Sequence, residues 1–228
     1  MIALAPVLIS FSGIDGAGKS TQIEKLREYL VKQNVPFQVL TFWDNVVLFS
    51  SLRSGFSRRV LQSDGQVGTP EKPANRNDKN SQSLALLAGR SLLHLLDVFQ
   101  LRRIVRRARA TGSGVIIFDR YMYDQLAALP LENWLARAYA RLVLSMTPKP
   151  EVSYLLDAVP EEARARKPEY PIDFMRQYRN SYLRLRQLAP LSLISAGGPD
   201  DVHAAIIGRL KNSLCNSPQL QIDSAVIA

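Results

Sequence analysis

The 228 residues include a single cysteine, Cys215, and only two histidines, His94 and His203. One thiol cannot close an intrachain disulfide, and this inventory builds neither a Cys/His zinc site nor a conventional haem site. A cytoplasmic setting fits that scarcity. Long apolar runs are lacking too. The longest uncharged stretch, Met1 to Ile14, has no basic leader and no small-residue cleavage site, and it is too short to span a bilayer. The expectation is therefore neither secretion nor membrane insertion. Tandem repeats and composition breaks are missing as well, which predicts one domain over 1–214 and a loosely held tail at 215–228. At 46% hydrophobic and 21% charged, a chain of this length buries roughly 70–75% of its unfolded surface. A disordered or collagen-like protein is excluded.

Acidic residues are in deficit, 20 against 29 basic ones, for a formal charge of +9. Acidic partners such as nucleotides, nucleic acid or anionic surfaces are favoured, and charge alone does not choose among them. The excess gathers in two places. One is Arg102, Arg103, Arg106, Arg107 and Arg109; the other is Arg164, Arg166, Lys167, Arg176, Arg179, Arg184 and Arg186. The first group ends a long helical pattern, where cations meet the carbonyl end of the helix dipole. It carries no interleaved aromatics, which argues against nucleic acid and for a solvated face.

Apolar periodicity predicts a repeated strand-then-helix order. Val7 to Phe11 reads as a strand closed by a glycine-rich turn, and Gln22 to Val31 as a helix. Pro36 to Trp43 is strand-like, Ser63 to Gln82 a polar loop, and Ser83 to Ala110 a long helix stopped by Gly112 and Gly114. Then come a strand at Val115 to Phe118 ending on Asp119, a helix at Leu131 to Ser145, and a strand at Val152 to Leu156. A helix at Pro171 to Leu188, a strand at Leu191 to Ser195 and a helix at Asp200 to Leu214 complete the pattern. Such alternation predicts an α/β fold, a mostly parallel sheet covered on both faces, with ligands at the carboxyl ends of the strands.

Gly13-Ile14-Asp15-Gly16-Ala17-Gly18-Lys19-Ser20 matches the phosphate-loop pattern G-x-x-x-x-G-K-[ST], between a predicted strand and a predicted helix. In such a loop the backbone N–H groups turn inward around a triphosphate and the lysine reaches the β- and γ-phosphates. The serine hydroxyl ligates Mg2+. This predicts ATP binding by Gly13, Asp15, Gly16, Ala17, Gly18, Lys19, Ser20 and Thr21, with the helix amino terminus adding positive potential. Asp119, an acid closing a hydrophobic strand, is the expected second magnesium group beside Ser20. Without the loop, such an Asp reads more often as a turn or helix cap; the phosphate loop in the same chain reverses that.

Three segments together resemble the thymidylate kinase family: Phe11 to Thr21, Asp119-Arg120-Tyr121, and Leu155 to Ala163. The resemblance runs nearly end to end, and Ser195 to Val202 is similar to the family's last strand and adenine-side loop. It implies a five-stranded P-loop kinase domain with a lid near 160–172. It also implies ATP-dependent phosphorylation of a nucleoside monophosphate, dTMP to dTDP, by an enzyme that works on small nucleotides and often dimerises through helices.

Carried over position by position, the resemblance makes Asp15 the partner of the acceptor's 3′-hydroxyl. Arg120 and Arg90 become the grip on its phosphate, with Leu86 and Tyr121 lining the acceptor. A bidentate guanidinium suits that grip, although a lone helical arginine such as Arg90 equally fits an ion pair. With Gly16 in the loop, no basic residue precedes Lys19, so the further cation on the transferred charge is expected from the lid: Arg164, Arg166 or Lys167. Phe174, Tyr178 and Tyr182 read as packing behind it.

Some positions depart from the family. Ser12 stands where members usually carry Glu, and Leu86 where they carry an aromatic ring that stacks on thymine. Phe42 to Val46 lacks the usual phosphate-contacting arginine, for which Arg53, Arg58 and Arg59 are the nearby candidates. Tyr123 and Gln125 stand where the family reads sugar and base. Two alternatives to dTMP kinase stay open: a kinase for another phosphorylated acceptor, and a non-catalytic nucleotide-binding regulatory protein.

Overall fold

The computed structural model describes residues 6–47, 84–110 and 114–215, with backbone alone for 84–91 and 213–215. Five strands form one parallel sheet: β1 (Val7–Ser12), β2 (Phe37–Thr41), β3 (Val115–Asp119), β4 (Val152–Asp157) and β5 (Ser192–Ser195), in the order β2-β3-β1-β4-β5. The helices are α1 (Lys19–Lys32), α2 (Leu84–Ala110), α3 (Met122–Leu126), α4 (Trp134–Met146), α5 (Pro160–Arg166), α6 (Ile172–Leu185) and α7 (Pro199–Cys215).

β1 is buried along its whole length, as expected of a central parallel strand covered on both sides. Its side chains alternate between two cores. Leu8, with Ile116, Phe118 and Leu155, packs under α2, α3, α4 and α6, whereas Val7, Ile9 and Phe11, with Ile117 and Tyr154, pack under α1 and α7. The Tyr154 hydroxyl donates to the Ile206 carbonyl at 2.8 Å, tying β4 to α7. Register then sets the site: Phe11 lies beside Asp119, and Ser12 beside Leu155, so β1, β3 and β4 end together.

Local chemistry moves several expected boundaries. The strand-like reading of Pro36 to Trp43 is corrected, because β2 stops at Thr41 and Phe42–Val46 forms a π-helical turn. The Asn45 carboxamide accepts the Thr41 amide at 2.7 Å, and Phe42 is buried against Trp43 and Tyr121. α4 begins at Trp134 rather than Leu131, since the Asn133 side chain accepts the Leu135 amide at 2.8 Å as an N-cap. α3 has no counterpart in the periodicity, being only one turn long. The expected loop at 63–82, Arg53, Arg58, Arg59 and the tail beyond Cys215 lie outside the described residues. Within the first arginine cluster, Arg109 donates to Glu151 at 3.1 Å, whose other oxygen accepts the Leu8 amide at 2.6 Å. Arg102, Arg103, Arg106 and Arg107 are exposed.

Candidate active site

The loop between β1 and α1 turns through left-handed backbone at Gly16 (φ 79°) and Gly18 (φ 88°), and Gly18 opens α1 with no side-chain cap. The first N–H groups of α1 are thus left to an anion. Gly16 is needed twice over: besides its φ, a Cβ there would overlap the Ala163 carbonyl of α5. At Gly13 a Cβ would come within 2.5 Å of the Leu156 carbonyl. The loop is therefore clamped between the end of β4 and α5.

Lys19 is buried, and its ammonium donates to the carbonyls of Gly13 and Ile14, each at 2.9 Å. Burial, and next the adjacent Arg120, lower its pKa to about 8, with Asp15, Asp124 and Asp119 opposing. Ser20 and Thr21 are exposed on the first turn of α1. The Arg120 amide donates to the Phe11 carbonyl of β1 at 2.9 Å, which holds the end of β3 against the strand that leads into the phosphate loop.

Asp119 is half-buried, and its Oδ1 has no hydrogen-bond partner. Burial raises its pKa against the lowering effect of Lys19 and Arg120. The unpartnered Asp119 carboxylate oxygen, in electrostatic reach of Lys19, and the Ser20 hydroxyl exposed on the first turn of α1 are hard-oxygen donors of the kind that Mg2+ takes. The glycine-lined loop and the uncapped helix end fit a triphosphate. The residues present therefore fit ATP and magnesium.

Arg120 has left-handed backbone (φ 67°), rare for a non-glycine residue. Its guanidinium pairs with Asp15 through Nη2, and with Asp124 through Nη1 at 3.2 Å. Burial opposes its charge, but the Asp124 and Asp15 carboxylates outweigh it and hold the pKa well above the usual value. Asp124 was not among the residues expected from the sequence. Its Oδ2 accepts the Ser12 hydroxyl at 2.7 Å and the Tyr121 amide at 3.0 Å, while its Oδ1 accepts the Tyr182 hydroxyl at 2.7 Å and Arg120. The four-residue spacing from Arg120 gave no signal, because Arg120 precedes α3 with left-handed backbone and the two side chains do not share a helical face.

Other expected positions sort differently. Tyr121 is corrected from acceptor ligand to core residue: it is fully buried against Phe42, Phe118 and Tyr123, and its hydroxyl donates to the Pro148 carbonyl at 2.7 Å. Tyr123 also turns inward, accepting from Ser153 at 3.3 Å, whereas Gln125 keeps a buried Nε2 with no partner. In the lid segment, Arg164 is half-buried with its Nε unpartnered, next in sequence to the Ala163 that meets Gly16. Arg166 is exposed, and Lys167 is paired with Glu169 at 3.0 Å. Arg179 is committed to both oxygens of Asp157, at 2.5 and 2.7 Å. Phe174, Tyr178 and Tyr182 pack ring against ring, with Tyr170 tilted on Phe174, and Tyr178 also donates to the Asp124 carbonyl at 2.8 Å. Leu86 and Arg90 lie on α2, and their side chains are outside the described residues.

A phosphate loop at the carboxyl end of the central strand, facing an acid and a strained arginine from its neighbour, defines a P-loop α/β phosphotransferase. No family model matches the chain. Among curated relatives, the thymidylate kinase of Chlorobium chlorochromatii is 28% identical over 234 residues, spanning 91% of this chain and 96% of that protein. The probable thymidylate kinase of Pyrococcus horikoshii is 26% identical over 220 residues, spanning 90% and 96%. Two solved structures share the fold at 18% identity. These are the thymidylate kinase of Ehrlichia chaffeensis, with a TM-score of 0.57 over 91% of this chain and 99% of that one, and that of Candida albicans, with 0.59 over 92% and 94%. Over nine-tenths of its length the chain is similar to thymidylate kinases, and these likenesses indicate a phosphotransferase of the nucleoside monophosphate kinase class. Among the described residues, no helix is long and apolar enough to cross a membrane.

Proposed function

We propose that the protein transfers the γ-phosphoryl group of ATP to the phosphate of a nucleoside monophosphate, dTMP foremost, giving ADP and the diphosphate. A phosphate oxygen of the acceptor forms the new bond to the γ-phosphorus, and the bond from that phosphorus to the bridging oxygen of ADP breaks. The observation that carries this reading is the Arg120 guanidinium, held by carboxylates at the end of β3 next to Lys19. A cation anchored beside the phosphate loop, but outside it, suits a second phosphate.

The amides of 13–20 would bind the triphosphate, and Lys19 would exchange its two carbonyl partners for phosphate oxygens. Ser20 and Asp119 would hold magnesium, directly or through water; when bound, it neutralises charge on the β- and γ-phosphates. Arg120, with Arg90, would align the acceptor phosphate, Asp15 would take the sugar hydroxyl, and Leu86 would cover the base. Arg164, half-buried with an unpartnered Nε and next in sequence to the Ala163 that meets Gly16, is better supported as the lid cation than the exposed Arg166. A cytoplasmic location suits an enzyme fed by ATP. The exposed Trp134, Leu135 and Leu142 of α4, with Leu92 and Phe99 of α2, support a homodimer.

A kinase acting on a different nucleoside monophosphate is the second reading, favoured by Leu86 and Ser12. The test is ADP release from MgATP across a panel of nucleoside monophosphates, with Lys19→Ala as control. Turnover with dTMP well above the no-acceptor rate, lost in the control, is the expected outcome. Turnover with another acceptor only would shift the assignment to the second reading. ATP binding with no acceptor-dependent turnover would leave the regulatory reading.

A further inference from the structure

Asp124 stands out among the buried groups because it has no solvent-facing side and yet sits against the site. Its side chain is fully buried, and four donors from four places converge on it: Ser12 at the end of β1, the Tyr121 amide at the start of α3, Tyr182 from α6, and Arg120. A carboxylate with two or more donors on it stays ionised readily, but removing it from water is costly unless every lone pair is used. Here each oxygen has two donors.

Arg120 has two anionic partners of different character. Asp15 belongs to the phosphate loop and retains 15% side-chain exposure, whereas the Asp124 side chain has none. Asp15 can turn to a ligand; Asp124 cannot, since its partners enclose it. Arg120 also repels Lys19, and Asp124 opposes that repulsion at the lysine. A cation with strained backbone, beside another cation, needs a fixed counter-charge to stay aimed at the site.

We propose that Asp124 is a positioning residue: its carboxylate is the permanent counter-ion that holds Arg120 toward the acceptor phosphate, and Ser12 is the short partner that leaves room for it. The proposal rests on the kinase reading for its turnover readout only. The Ser12 hydroxyl and the Asp124 carboxylate are 2.7 Å apart, so the acid can in principle be carried from either side. A longer acid on residue 12 facing a hydroxyl on residue 124 would put negative charge in the same space. Two acids there would repel in a buried setting, and two hydroxyls would leave Arg120 with Asp15 alone.

The experiment compares wild type with Asp124→Asn, Asp124→Ser, Ser12→Glu and the exchange Ser12→Glu/Asp124→Ser, in turnover and in the side-chain Nε–H signal of Arg120. That signal is assigned with Arg120→Lys in 15N-arginine-labelled protein. A misaimed phosphate grip is expected to cost about 100-fold in acceptor kcat/KM for Asp124→Asn and Asp124→Ser. The KM for ATP should stay near wild type, because the phosphate loop is untouched. The Arg120 signal should be sharp in wild type and lost or averaged in both single variants at 124. The exchange should restore the signal and bring kcat/KM to within about tenfold of wild type. If Asp124→Asn keeps both the signal and the turnover, the proposal is overturned. It is equally overturned if the exchange does no better than the product of the single variants. Should Asp124→Asn fail to fold, the exchange decides alone. Should wild type turn over no acceptor, the kinase reading fails while the Arg120 signal still tests the role of Asp124.

Discussion

The phosphate loop takes its shape from its own backbone, whereas the Arg120 side of the site takes its shape from side chains drawn from β1, the loop, α3 and α6. The loop needs glycine torsions and close backbone packing against β4 and α5, all local to one motif and its neighbours. The Arg120 side needs Ser12, Asp15, Asp124 and Tyr182 to arrive together, although they span most of the chain. A backbone device tolerates change at its non-glycine positions, while a side-chain cluster fails or adapts as a unit. In this chain the loop motif is intact, and Ser12 and Asp124 make a buried contact on the Arg120 side.

That contrast can be broken most sharply at Gly16. A Cβ there meets the Ala163 carbonyl at a φ of 79°, so Gly16→Ala should lose roughly 1–3 kcal/mol of stability and on the order of 5 °C in melting temperature. ATP and acceptor turnover should fall together, since the loop packs directly against α5. Calorimetric melting and steady-state kinetics measure both; a variant that melts like wild type would mean that the loop is not clamped by α5.

The electrostatic link between the two sides is Lys19. With burial, and then Arg120, lowering its pKa from 10.5 to about 8, the free protein should lose the ammonium as pH rises through 8. The acceptor-saturated kcat/KM for ATP, which reports the free enzyme, should then decline about tenfold per pH unit above that point. Stability runs the other way. Between pH 8 and 10.5 the unfolded chain holds the proton and the folded chain does not, so this lysine's contribution to folding stability rises with pH across that window. A flat kcat/KM profile up to pH 10 would remove Lys19 from the link.

The smallest expected effect separates core from site at Tyr121. Tyr121→Phe removes the hydroxyl that donates to Pro148 and should cost about 1 kcal/mol of stability, read by urea unfolding. The KM for acceptor should not change; a rise of several-fold would return Tyr121 to the acceptor pocket.

Much of this was legible in the chain. The five strands and the long helices follow from apolar periodicity, because a parallel sheet buried on both faces must be written as continuous apolar runs. The phosphate loop follows from Gly13 to Ser20, since positive φ and inward amides demand those glycines at that spacing. The π-helical turn at Phe42–Val46 and the one-turn α3 were not legible, being shorter than any period and held by single contacts such as Asn45 to Thr41. Tyr121 was misread because the Asp-Arg-Tyr string shows adjacency, not the direction in which each side chain points.

By itself, then, the order of residues determined the α/β architecture, the phosphate loop and the basic segment from Arg164 to Arg186, all of which arise from short-range pattern and backbone sterics. Only the tertiary structure decided that Arg120 stands between Asp15 and Asp124, that Ser12 supports that acid, and that Ala163 of α5 meets Gly16 of the loop. Those outcomes depend on which elements the sheet register brings to a common end. Contacts between residues 112 positions apart, as between Ser12 and Asp124, leave no periodic trace in the chain.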